Sequence, residues 1–395
     1  MSVKFNLNEE VDLIIKELKG YRDKIHSEPE LSMKEYKTTN FLYEKLIEFG
    51  VDEVAKVGDT GIIATVYGKN RDRGIALRAD IDALPITEEL EAENKSKNIG
   101  VSHACGHDIH TVCLLGAAQI FNKYKENLEK SVRLIFQPGE EIGEGAKYMI
   151  ENGCFNGMEI EGILGLHCWP DQPAGKIFFR SGQVCAATDT FKIVINGVQG
   201  HAAYPHKTVD PIVIAGDVIC AVQTIISREI SPLESGVITF GTINGGTKEN
   251  IIPKCVEMTG TIRTLNSEIR EYIHKRLEEI VIKIVEAYRG EAEVYIKSGI
   301  PPLVNDSKIS EIIKNSITED LGEESYISNP QPSMGGEDFA YYLEKVPGAL
   351  FRIGCGFENE KNYPLHSNRF NANDDAIKTG VKGLIASTLK IMELK

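Results

Sequence analysis

Gly74-Ile-Ala-Leu-Arg78-Ala-Asp80-Ile-Asp82-Ala-Leu-Pro85 opens as an apolar run of strand length and ends in a burst of charge. Similar runs lie at residues 61–67, 132–136 and 162–166, and helical stretches at 108–125 and 144–151 separate several of them. Strands alternating with helices predict an α/β fold, a mainly parallel sheet with helices on both faces. Upstream, Asn8 is placed to cap a helix whose apolar residues Val11, Ile14, Ile15, Leu18, Tyr21 and Ile25 recur at helical spacing. Ser32 and Glu35 read as the capping box of a second helix, which Gly50 ends.

From about Asp189 the pattern changes. A strand at 190–195, a helix at 210–228, strands at 237–242 and 254–264, a helix at 267–288 and a strand at 291–297 follow one another. That β-α-β-β-α-β order matches a ferredoxin-like unit of about one hundred residues, and Gly299-Ile-Pro-Pro302 ends it. Helix and strand patterns then resume, closing with a helix over about 374–392. The expected organisation is one larger domain in two parts, 1–186 and 300–395, interrupted by a smaller inserted domain, 187–299.

Composition narrows the function. The 395 residues carry 42% hydrophobic and 26% charged side chains, ordinary for a soluble globular protein. A net charge of -14 argues against nucleic acid as a partner, since phosphate binding needs clustered Lys and Arg. The first twenty residues lack the basic-then-apolar pattern of a secretion signal, and no apolar run is expected to approach the roughly 20 residues that span a membrane. Eight scattered cysteines fit reduced thiols in a cytoplasmic protein.

In an open α/β sheet, ligands bind outside the carboxyl ends of the strands. Polar residues gather at those ends here. The opening stretch delivers Asp80 and Asp82, residues 132–136 run into Gln137-Pro-Gly-Glu140-Glu141, and residues 162–166 run into His167. His103-Ala-Cys105-Gly-His107-Asp108-Ile-His110 stands just before a helix, whose N-terminus favours the thiolate form that binds metal. Taken singly, Cys105 reads as a buried apolar thiol, Glu140-Glu141 as solvated charge, and His167 and His366 as core histidines. Their convergence from distant segments on one sheet edge favours a site, in which one carboxylate holds a metal while its neighbour works as a general base.

These segments together resemble a known family. Arg22 and His26-x-x-Pro29-Glu-Leu-Ser32, residues 76–85, His103-Ala-Cys-Gly-His-Asp108, Phe136-Gln-Pro-Gly-Glu-Glu141 and Gly165-Leu-His167 are its first marks. Gly200-His-Ala-Ala203, Asn250-Ile-Ile-Pro253, Gly260-Thr-Ile-Arg263, Met334-Gly-Gly-Glu-Asp-Phe339 and Leu365-His366 follow in order. The set is similar to the amidohydrolase branch of the aminoacylase and carboxypeptidase G superfamily, which includes hippurate hydrolases, N-acyl-amino-acid amidohydrolases, auxin-conjugate hydrolases and N-acetyldiaminopimelate deacetylases.

The resemblance implies two divalent metal ions per subunit, Mn or Zn, with Co or Ni compatible with the same mixed donors. Cys105 would bridge them, His107 and His167 would complete one, and Glu141 and His366 the other. Asp80 stands where the wider superfamily has a ligand histidine. Glu140 is the implied general base and acid, and Asp82 the group that orients a ligand histidine. The insert would be a lid and dimerisation domain, with His201, often supplied across the dimer, and Asn250 reaching towards the substrate carbonyl or carboxylate and Arg263 suiting a substrate carboxylate, although His201 also reads as merely exposed and Arg263 as holding the lid together. The implied reaction is hydrolysis of small N-acyl amino acids by a homodimer. Dipeptide cleavage, diaminopimelate deacetylation, a thiol hydrolase using Cys105 with His107 or His110, and a non-enzymatic metal-binding protein remain as rivals, and the acyl group stays open.

Overall fold

A computed structural model describes residues 5–328 and 331–393. The chain divides into two compact units: Met1–Gly182 with Val304–Gln331 and Asp338–Lys395, and Gln183–Leu303 with Pro332–Glu337.

The larger unit is built on an eight-stranded sheet. Its order is Glu53–Lys56, Ile62–Val66, Lys130–Gln137, Asn70–Asp80, Glu159–Pro173, Gly348–Gly356, Ile177–Phe179 and Tyr326–Ser328. The four central strands, from Lys130–Gln137 to Gly348–Gly356, run parallel, and antiparallel pairs flank them on both sides. Buried on both faces, these strands read as near-continuous apolar runs. Helices Leu7–Ser27, His107–Lys123 and Asp375–Met392 pack on one face and against one another. Glycines show how closely the layers meet: a Cβ on Gly165 would lie 2.9 Å from both Leu350 and Phe339, while one on Gly162 would meet Ile309 and Ile391.

Two local readings need correction. Asn6, not Asn8, caps the first helix, accepting from the Asn8 and Glu9 amides. The helix Tyr36–Glu48 has no side-chain cap; Ser32 and Glu35 bond elsewhere, as described below. Gly50 ends that helix at φ +76°, its amide reaching the Ile47 carbonyl.

The second unit is a four-stranded antiparallel sheet of Gly236–Gly245, Cys255–Thr264, Ala187–Asn196 and Glu291–Lys297, in that spatial order. Helices Pro211–Thr224 and Ser267–Ala287 cover it, with Ile193, Ile195, Ile214, Val218, Met258, Leu277 and Val281 at the core. Counted along the chain the strands lie second, third, first, fourth, which is the ferredoxin-like arrangement. Pro332–Glu337 joins this unit because the Ala186 amide bonds to the Ser333 and Gly335 carbonyls. The helical stretch Pro211–Glu229 is 19 residues long with a mean hydropathy of 1.5, long and apolar enough by length and composition to cross a membrane. That corrects the expectation that no run approaches this length. Ile214, Ala215, Val218, Val222 and Ile225 on it are buried in the unit's own core.

Candidate metal centre

Arg78, near the end of its strand, is fully buried. Its guanidinium donates to Gln137 Oε1 at 2.8 Å, Asp80 Oδ2 at 2.6 Å and Asp338 Oδ1 at 2.8 Å. Asp338 also accepts from the Gln137 amide and the Ala146 backbone, each at 2.9 Å. On its other oxygen, Asp80 accepts from His110 Nδ1 at 2.6 Å, and the Cys168 amide donates to His110 Nε2 at 2.7 Å. Both nitrogens of His110 are therefore engaged and its tautomer is set, with Nδ1 carrying the proton. Burial opposes ionisation of Asp80, but the Arg78 guanidinium and the His110 hydrogen bond oppose it in turn, and the carboxyl is held well below the usual range. This network positions strand ends. Although Asp80, His107 and His110 bring donor atoms close together, His110 has no lone pair left for a metal.

Against this network stands a second set of side chains whose potential ligand atoms face one another. His107 opens its helix behind Gly106, which sits at φ +82° where a Cβ would come 2.9 Å from Cys168. Its Nδ1 donates to the Asp82 carbonyl at 3.0 Å and faces Asp82 Oδ1 at 3.2 Å, which leaves a lone pair on Nε2. His167 does the same, with Nδ1 donating to the Cys168 carbonyl at 2.7 Å and Nε2 lying 3.5 Å from Cys105 Sγ. His366 Nε2 lies 3.4 Å from Glu141 Oε1, and His107 Nε2 3.8 Å from the same oxygen. His366 adopts φ +62°, and its amide is tied to the Ala104 carbonyl at 2.8 Å.

The donors form two triplets, Cys105–His107–His167 and Cys105–Glu141–His366, each with its ligand atoms within 4.8 Å of one another. Cys105 belongs to both. His107 Nε2 and Glu141 Oε1 are buried with no hydrogen-bond partner; buried polar atoms rarely stay orphaned unless something else satisfies them. Thiolate, imidazole and carboxylate converging with free lone pairs fit divalent transition metals. Glu140, buried beside the cluster, brings a carboxylate oxygen within 4.8 Å of the His107 and Glu141 donors.

Asp82 organises these donors. Beyond His107, it accepts from the Glu141 amide at 3.0 Å and from Ser32 Oγ at 2.6 Å. Glu35 accepts from the Gly139 amide at 2.9 Å, under the turn that carries Glu140. Burial, with Asp82 second, pushes the Glu35 carboxyl up to about 7. Ser32, Glu35 and Asp338 are the residues that sequence reasoning missed here. Their signal was present in the motifs around Ser32 and Asp338, but the Ser-x-x-Glu spacing was absorbed by a helix-capping reading. Burial outweighs His107 and holds the metal-free Cys105 thiol well above its ordinary range; the thiolate expected at this helix N-terminus is the form that a bound metal would stabilise. A buried, protonated thiol makes a poor nucleophile.

His201, Asn250 and Arg263 belong to the second unit. His201 pairs with Ile251 in a two-residue ladder, and the Ala202 amide bonds to the Asn250 carbonyl at 3.1 Å. These two exposed residues are thus neighbours. One Arg263 guanidinium nitrogen donates to the Ile262 carbonyl at 3.1 Å and the Asp189 carbonyl at 3.4 Å.

With this geometry in view, the comparisons with known proteins are specific. The pattern of peptidase family M20/M25/M40 matches residues 76–389. An N-acetyl-L-cysteine deacetylase of Bacillus subtilis is 41% identical over 349 residues, 88% of this chain and 83% of the relative. An IAA-amino acid hydrolase of Arabidopsis thaliana is 36% identical over 378 residues, 95% and 84% of the two chains. The crystal structure of a dinuclear metal-binding peptidase from Bacillus subtilis superposes with a TM-score of 0.85 at 32% identity, covering 97% of this chain and 99% of that one.

Proposed function

Because the chain belongs to peptidase family M20/M25/M40, we propose that it is a metal-dependent amidohydrolase that cleaves small N-acyl amino acids into a carboxylic acid and a free amino acid. The observation that carries this reading is the pair of donor triplets sharing Cys105, with His107 Nε2 and Glu141 Oε1 buried and unpartnered. Relatives named for N-acetylcysteine and IAA-amino acid hydrolysis support the substrate class.

Cys105, His107 and His167 would hold one divalent cation, and Cys105, Glu141 and His366 the other, with Mn, Zn, Co or Ni compatible with the mixed donors. When bound, such ions would supply Lewis acidity, lowering the pKa of water towards neutrality and stabilising charge on the amide oxygen. Glu140 accepts the proton of the attacking water and returns it to the leaving amine. Asp82 keeps His107 in the tautomer that presents Nε2, and Glu35 fixes the turn beneath Glu140. His201 donates a hydrogen bond to the substrate carbonyl, and Asn250 beside it contacts the substrate.

Exposed Val237 and Ile243 on the sheet's edge strand, with Ile212 and Val213 on the neighbouring helix, support a homodimer formed through the second unit. All eight cysteines are free, which supports a reducing, cytoplasmic setting. The test is a panel of N-acetyl, N-benzoyl and N-indoleacetyl amino acids assayed with Mn or Zn beside unblocked dipeptides. Cleavage of the acylated compounds with restoration by metal after chelation is expected; cleavage of dipeptides alone would overturn the reading.

A further inference from the structure

Arg352 is a buried cation that pairs with no carboxylate among the described residues. It lies on the central strand Gly348–Gly356 and is only 5% exposed. Two other buried arginines are matched with carboxylates, Arg22 with Asp108 and Asp374 and Arg78 with Asp80 and Asp338, while buried Arg133 donates to the Asn156 carbonyl. Among the described residues Arg352 has no carboxylate and no hydrogen-bond partner; its recorded interaction is a stack on Trp169, guanidinium carbon 3.9 Å from the ring centroid. Stacking uses the face of the guanidinium and leaves its N–H donors available for charge-assisted hydrogen bonds to an anion.

Its position is informative. Arg352 pairs in register with His167 on the adjacent parallel strand. Paired residues share a face about 4.8 Å apart, and Trp169, two residues beyond His167, points to that face too. The guanidinium and indole therefore flank His167, whose Nε2 faces the Cys105 thiol. With its plane set by the indole, the guanidinium fork is preorganised for bidentate binding of a carboxylate. Arg263, the arginine singled out in the sequence, instead has a guanidinium nitrogen bonded to the Ile262 and Asp189 carbonyls.

We propose that Arg352, held by Trp169, is the receptor for the substrate's carboxylate, the α-carboxylate of an N-acyl amino acid whose amide lies beside His167. The inference rests on the proposed function and deepens it: substrates must carry a free carboxylate, and the corresponding carboxamides are poor substrates.

Trp169 is the only tryptophan in the chain, so its emission reports this subsite without any need for turnover. Metal-loaded protein is mixed in a stopped-flow instrument with N-acetyl-L-alanine or with N-acetyl-L-alaninamide, and fluorescence is read before turnover. The acid is expected to give a saturable change and the amide none at equal concentration. In steady state, Arg352→Gln is expected to raise KM for the acid by about 10- to 100-fold and to remove most of the preference for acid over amide. Equal fluorescence changes with both ligands, or equal losses on both substrates in the variant, would overturn the proposal. If the wild-type chain cleaves neither compound, the hydrolysis reading fails, while the fluorescence contrast still decides the carboxylate receptor.

Discussion

Two polar clusters meet at the carboxyl ends of the central strands, and their hydrogen bonding differs. In the first, Arg78, Asp80, Gln137, His110 and Asp338 satisfy one another. In the second, His107 and His167 bond backwards through Nδ1, and His107 Nε2 and Glu141 Oε1 are left buried with no hydrogen-bond partner. His107 Nε2 and Asp80 Oδ2, 3.8 Å apart, mark the border. A buried polar group that is fully bonded holds the scaffold, whereas one left open costs free energy and signals a ligand. Residue type alone does not separate the two, since each cluster contains histidine and carboxylate.

The sharpest way to break the contrast is to remove the donor common to both triplets. Cys105→Ser is expected to lose metal stoichiometry and with it all measurable turnover, read by elemental analysis and assay; unchanged stoichiometry would move Cys105 out of the ligand set. Glu140→Ala is expected to keep both metals and lose about 10²- to 10⁴-fold in kcat, and ordinary turnover would refute its role as base. On the closed side, Arg78→Met leaves Asp80 and Asp338 buried without their cation. A loss of about 3–5 kcal/mol in urea unfolding is expected, and a neutral result would show the network is not the scaffold.

A fourth test uses pH. Burial lowers the His103 imidazole from 6.5 to about 4, so the folded state holds it neutral while the unfolded chain protonates it near 6.5. The stability this provides is complete above pH 6.5 and is lost as pH falls towards 4, at most about 3 kcal/mol. Metal-free wild type should therefore show a steeper loss across that window than His103→Leu, measured by denaturant titration at each pH. The smallest effect is expected from Ser32→Ala, which removes one donor to Asp82 and should weaken metal binding by about tenfold, at the low end for partners that orient ligands. A change of less than twofold would show that Asp82 holds His107 without it.

Much of the fold and the open cluster could be read from the chain, because strand-length apolar runs and the polar residues after them are local patterns. What escaped reading depends on partners far away in sequence. Asp338 works with Gln137, 201 residues apart, and no window over the Met334–Phe339 motif reveals that. Ser32 and Glu35 fit a helix-capping spacing, yet tertiary bonds to Asp82 and the Gly139 amide claim them. Arg352 sits in an apolar strand where a lone cation gives no periodic signal; only its register with His167 makes it notable. Asn6 and Asn8 are equally good caps by type, and backbone geometry chose between them.

The bond between the His366 amide and the Ala104 carbonyl has a consequence for biosynthesis. It joins the loop carrying Cys105 to a loop made 261 residues later. At about 5–20 residues per second, a ribosome needs roughly 13–50 s to cover that distance. From the moment His167 is made, and until His366 follows, the nascent chain holds Cys105, His107, Glu141 and His167 without the histidine that closes the second triplet. Full metallation is thus an event of the finished chain, and a stalled or shortened translation product would present a half-built chelator.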